Sequence, residues 1–177
     1  MNWHLLVIDL QPPFATRIPE WGSIVERSCI AIEAAKRLQI PITATEQNPE
    51  KLGPTVEQVT EALAGVPRMP KMTFSCLRDQ AVWRRIVTGG PTNLLIVGVE
   101  THVCVLQTAL DALRAEPALQ PYIAVDAVGS RKTLDRDTAL RRLERAGAIL
   151  TTVESAFFEI LERAGTDKFR SVLPLFK

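Results

Sequence analysis

Apolar runs too short to be helices alternate with amphipathic stretches too long to be strands, from one end of this chain to the other, and that alternation leaves few folds open. The clearest run is Leu94-Leu95-Ile96-Val97. Its hydrophobicity is continuous, which marks a strand buried on both faces, as inside a parallel sheet. Residues 5–8, 40–45, 121–125 and 148–153 read the same way. Residues 68–71 can form only a short, edge-like strand, because Pro67 and Pro70 each remove a ladder donor. Between the runs, apolar spacings of three and four predict helices over 21–39, about 55–64, 77–87, 101–113, 135–146 and 155–163. Cys29 falls on the apolar stripe of the first and is expected to be a buried core thiol. Strand then helix, six times over without a linker, predicts a single α/β domain over 1–177 with a mainly parallel sheet covered on both faces.

In such sheets ligands bind beyond the carboxyl ends of the strands. The ends deliver Asp9, Glu46, Lys71, the stretch from Glu100 to Cys104, and Asp126. Cys104 falls in what reads as the first turn of a helix starting where strand 94–97 stops, and a helix N-terminus biases a thiol toward thiolate. A cysteine nucleophile needs a base and a neighbouring cation, and Asp9 with Lys71 would supply both. Each residue also has an ordinary role: an Asp caps a turn, a Lys after a proline is solvated, a Cys packs. Spacing alone leaves both readings open. His102 is a poor partner for Cys104, since neighbours at i, i+2 on a helix diverge.

Composition removes several classes. A formal net charge of +1 gives no reason to invoke nucleic acid or an anionic membrane surface. No apolar stretch approaches the ~20 residues that span a bilayer. Three cysteines without framework or metal-like spacing suit a reducing compartment, and the N-terminus lacks a basic signal-peptide region, so the expected location is cytoplasmic. The two histidines, His4 and His102, cannot build an imidazole zinc site. No G-x-G-x-x-G follows any strand, and there is no P-loop or G-x-S-x-G elbow.

Several segments in this order carry a resemblance. They are Val7-Ile8-Asp9-Leu10-Gln11 with Phe14, Pro70-Lys71 with Phe74-Ser75, and Val97-Gly98-Val99-Glu100-Thr101-His102-Val103-Cys104-Val105. Gln107-Thr108-Ala109-Leu110, Asp126-Ala127 and Gly147-Ala148 add to it. The chain resembles the isochorismatase-like cysteine hydrolases over nearly its whole length. Thr45-Glu46-Gln47 and Leu52-Gly53-Pro54-Thr55-Val56 bring it closest to the isochorismatase-domain-containing proteins of unassigned substrate.

The resemblance implies a six-stranded parallel sheet in a three-layer, Rossmann-like α/β/α sandwich, and a homo-oligomer. It implies Asp9 as general base, Lys71 as electrostatic partner and Cys104 as nucleophile. It further implies a cis peptide at Val99–Glu100 and an oxyanion hole from the N–H groups of Glu100 and Cys104. Gln11, Phe14, Phe74, Thr101 and His102 are the substrate-facing candidates. Nicotinamidase-like relatives hold a metal through histidines in the loop after the second strand; here that loop reads Glu46-Gln47-Asn48, so neither metal nor cofactor is expected. Glu100 would repel anionic substrates or orient an amine. The reading is a metal-independent cysteine hydrolase of a small amide, carbamoyl or related acyl substrate, working through a thioester. The alternative is a catalytically idle scaffold or binding subunit in an oligomer.

Overall fold

The computed structural model describes residues 2–115 and 119–177. Strands β1 (Trp3–Ile8), β2 (Ile42–Gln47), β3 (Arg68–Lys71), β4 (Asn93–Val99), β5 (Gln120–Gly129) and β6 (Ile149–Thr151) form one sheet. Its order is β3-β2-β1-β4-β5-β6, and every adjacent pair is parallel. The chain moves outward from β1 to β3, returns to the other side of β1, and moves outward again. The crevice between β1 and β4 is therefore the switch point of a doubly wound sheet.

Helices α1 (Trp21–Arg37), α2 (Pro49–Leu52), α3 (Glu57–Ala62), α4 (Gln80–Val87), α5 (Leu106–Ala112), α6 (Thr133–Ala146), α7 (Val153–Leu161) and α8 (Asp167–Val172) complete the layers. Side chains alternate across β1, so Trp3, Leu5 and Val7 enter one core with α1, α3, α7 and α8. Leu6 and Ile8 enter the other with α4, α5 and α6. Burial on both faces is why these runs are continuously apolar.

The differences from expectation have physical causes. β2 runs on through Glu46 and Gln47, which pair with Pro70 and Lys71 of β3, so strand pairing overrides their polarity. β5 runs through Asp126 to Gly129, and Asp126 is not an edge residue: its Oδ1 accepts from the Val153 N–H, fastening the start of α7. Gly98 does not break β4; it continues the strand at φ 111°, where the register against β5 shifts. Cys29 is half-buried, packed against the first core rather than inside it.

His4, on β1, is 1% exposed, and its Nε2 pairs with Thr43 Oγ1 at 2.8 Å. Burial, reinforced by the charge of Arg85, lowers its pKa from 6.5 to about 4. The unfolded chain therefore takes up a proton near pH 6.5 that the folded chain refuses until about pH 4. Stability contributed above pH 6.5 should be lost as the pH falls toward 4, by roughly 3 kcal/mol. Urea unfolding of the parent and of His4→Gln across that window checks this, because only the parent carries the histidine's share.

Candidate active site

Asp9 follows β1 at φ 52°, a left-handed conformation that aspartate tolerates better than most side chains. In that turn Asp9 Oδ1 accepts from Thr45 Oγ1 at 2.7 Å, and Oδ2 accepts from Lys71 Nζ at 2.7 Å. Both charged side chains are essentially sealed, at 0% exposure for Lys71 and 1% for Asp9. Lys71 Nζ also meets Gln47 Oε1 at 2.7 Å, the carbonyls of Thr73 and Phe74 at 3.2 and 3.3 Å, and Cys104 Sγ at 3.7 Å. Burial works against the ammonium charge, but Asp9 and the thiols of Cys76 and Cys104 outweigh it and hold the lysine above its ordinary value. The three side chains named from the strand ends thus lie in one cluster at the switch point.

Removing one partner of a sealed ion pair leaves the other charge stranded. Lys71→Met should cost about 3–5 kcal/mol. Asp9→Asn/Lys71→Met should cost clearly less, since neither charge then remains. Urea denaturation of both variants measures the difference.

The turn carrying Cys104 is not the first turn of an α-helix. Residues Thr101–Val105 form a wider π-helical turn, and α5 starts only at Leu106. The Val99–Glu100 peptide bond is cis. Burial pushes the Cys104 thiol up, the Asp9 carboxylate beside it pushes it further, and Lys71 only partly offsets them. Burial and the nearby carboxylate thus oppose the thiolate that a helix start would favour. Cys76, fully buried nearby with Sγ 3.8 Å from Thr45 Oγ1, is raised to about 11, by burial first and Asp9 second.

The substrate-facing candidates separate. Gln11 is fully buried, and its amide is spent on the backbone: Nε2 donates to the Gln47 and Gly53 carbonyls, and Oε1 accepts from the Gln47 N–H. It braces the β1 and β2 ends and has no donor left for a ligand. Phe14 packs against the first core. Phe74 is 54% exposed, and Met72 and Leu134 are exposed at 70% and 72%. Val99 and Thr101 are fully buried, and Thr101 Oγ1 has no hydrogen-bond partner among the described residues. His102 Nδ1 pairs with Ser130 Oγ at 2.9 Å.

Glu100 is not a bare charge facing substrate. It is 6% exposed, and its Oε1 accepts from the backbone N–H of Arg131 at 3.1 Å and from Arg131 Nε at 2.9 Å. Thr45, Gln47, Ser130 and Arg131 are site residues that motif reading passes over. Thr45 and Gln47 had a signal, since polar residues at i and i+2 near a strand's end share a face. Arg131 had one too: with Lys132 it puts two cations just before a helix start, where the dipole disfavours them.

Glu46 Oε1 accepts from the N–H and Oγ1 of Thr55, both at 2.7 Å. Among the described residues no three His, Cys, Asp or Glu side chains gather as a metal set. A cavity of about 800 Å³ opens at the opposite edge of the sheet, lined in part by Trp3, His4, Ile40 and Arg163. It touches none of Asp9, Lys71 and Cys104 and is set aside as the reaction site.

A doubly wound parallel sheet with ionisable groups gathered at its switch point is the frame of an α/β enzyme. Residues 4–155 match the family model for the isochorismatase domain, and the chain belongs to the isochorismatase family of hydrolases. The secreted isochorismatase effector Isc1 of Phytophthora sojae is 35% identical, covering 98% of this chain and 83% of its own. The structure of MAR1 ribonuclease from Caenorhabditis elegans superposes with a TM-score of 0.91 at 39% identity, covering 98% of this chain and 88% of that one. The YcaC gene product of Escherichia coli, described as an octameric hydrolase of unknown specificity, shares the fold at TM-score 0.89 and 22% identity, over 99% and 86% of the two chains. No helix among the described residues is long and apolar enough to cross a membrane.

Proposed function

We propose that the chain is a metal-independent cysteine hydrolase of a small amide, carbamoyl or related acyl compound. The observation that carries this is one sealed cluster in which the Lys71 ammonium holds the Asp9 carboxylate at 2.7 Å and stands 3.7 Å from the Cys104 sulfur. Asp9 takes the thiol proton as Sγ bonds to the acyl carbon, so thiolate forms only as it is used. The tetrahedral oxyanion is held by the N–H groups of Glu100 and Cys104. The C–N bond then breaks, the amine leaves with the proton from Asp9, and water hydrolyses the thioester with Asp9 again as base. Lys71 stays paired with the Asp9 carboxylate between these steps.

Screening small amides and ureides for ammonia release, with Cys104→Ala as the blank, tests the reading. Release that persists in the blank, or a Cys104 that no electrophile modifies, would sink it. The idle-scaffold alternative draws support from the same ion pair, since a sealed Asp–Lys contact also staples β1 to β3. A ribonuclease reading enters through the description of the worm relative; a net charge of +1 speaks against it. RNA cleavage unaffected by Cys104→Ala would favour it. We also infer a homo-oligomer, supported by the octameric hydrolase whose fold the chain shares, and light scattering of the chain tests it.

A further inference from the structure

A buried carboxylate that takes both of its hydrogen bonds from one arginine is an orienting device. The backbone N–H and the Nε of Arg131 converge on the same oxygen of Glu100, so the stem of the arginine is fixed at two points. Glu100 is 6% exposed, whereas the Arg131 side chain is 48% exposed. Among the described residues the two terminal amino groups of Arg131 have no hydrogen-bond partner. A guanidinium held by Nε presents those two groups as a fork toward whatever approaches.

The charge around the fork is unbalanced. Arg131 and Lys132 stand immediately before α6, whose macrodipole adds partial positive charge and whose first turn holds one acidic residue, Asp135. Asp137 is engaged by Arg136, so Glu100 is the one carboxylate bonded to Arg131 among the described residues. The fork belongs to the Cys104 turn. Glu100 is joined directly to Thr101, whose buried hydroxyl is unpartnered, and Ser130, next to Arg131, pairs with His102 two residues before Cys104. A fixed, partly exposed cation with two parallel donors matches a carboxylate bidentately.

Resting on the hydrolase reading above, we propose that the substrate carries a carboxylate beside its scissile acyl group and that Arg131 receives it. Glu100 is then the positioning residue for Arg131, and it neutralises the stem of the arginine without occupying its fork. The substrate class narrows to small anionic amides or ureido acids, the reverse of what Glu100 implies when read as a bare charge.

Iodoacetate and iodoacetamide test this without knowledge of the substrate. Both alkylate a thiol by the same displacement: the S–C bond forms, the C–I bond breaks, iodide leaves and the thiol proton passes to Asp9 or water. They differ mainly in a carboxylate against a neutral amide. Second-order rate constants at Cys104 are read by peptide mapping, which separates it from Cys29 and Cys76. The iodoacetate-to-iodoacetamide ratio is expected to fall about tenfold in Arg131→Gln and to recover in part in Arg131→Lys. Glu100→Gln/Arg131→Gln, which strands no buried charge, should show the same fall if the single variant folds poorly. An unchanged ratio, or equal slowing of both reagents, overturns the proposal and leaves Arg131 as a strap for the turn. A parent Cys104 that reacts with neither reagent overturns the hydrolase reading itself, and this inference with it.

Discussion

Cys104→Ala is expected to abolish covalent capture by electrophiles and to lower turnover of any amide substrate by at least about 10⁴-fold. The thiol is the nucleophile of the proposed reaction, and the second thiol nearby, Cys76, is fully buried. The fold should hardly notice. The contact of Cys104 with Lys71 Nζ is long, at 3.7 Å, and trimming one buried sulfur costs on the order of 1 kcal/mol. Intact-mass analysis after iodoacetamide, beside ammonia release and a urea curve, reads all three effects. Asp9→Asn gives a sharper contrast. Asp9 is one of the causes that raise the Cys104 thiol, whereas Lys71 lowers it. Without the carboxylate the thiol should become more acidic while turnover falls by about 10²–10⁴, because the proton shuttle is gone. Alkylation rate against pH, set beside hydrolysis, separates the two roles; loss of both together would mean that Asp9 only holds the fold.

Gly98→Ala is expected to be the most damaging small change outside that cluster. At φ 111° an L side chain is strained, and a Cβ there would stand 2.0 Å from the carbonyl oxygen of Ile8 and 2.7 Å from its nitrogen. Those are backbone atoms of the central strand, so no rotamer change relieves the clash. Strain and overpacking together should cost about 3–5 kcal/mol, seen as a lower urea midpoint or as loss of soluble protein. Gly90→Ala is the control. Its φ is 62°, but an added Cβ would meet nothing within 4 Å, so only the conformational cost applies, near 1 kcal/mol.

What is legible in the sequence follows from how local its cause is. Residues 5–8 and 94–97 read as strands because burial on both faces leaves a continuous apolar signature that needs no knowledge of neighbours. The edge position of β3 follows from Pro67 and Pro70 in the same direct way. The polar end of β2 does not, because Glu46 and Gln47 are extended only through their partners on β3. The meeting of Asp9, Lys71 and Cys104 is foreseeable from strand ends. The electrostatics of Cys104 are not: the turn proves wider than an α-helical one, and burial with the nearby Asp9 charge pushes the thiol up. Arg131 escapes motif reading because its role depends on Glu100, thirty-one positions away.

The sealed Asp9–Lys71 contact bears on how such a chain drifts over generations. A descendant that abandoned its chemistry could lose Cys104 at little cost, but losing Asp9 or Lys71 singly would cost it about 3–5 kcal/mol of stability. The two charges would linger in a silent copy as a fossil of the reaction. Their presence is therefore weak testimony to activity, and the sulfur atom, which holds nothing together, is the strong one.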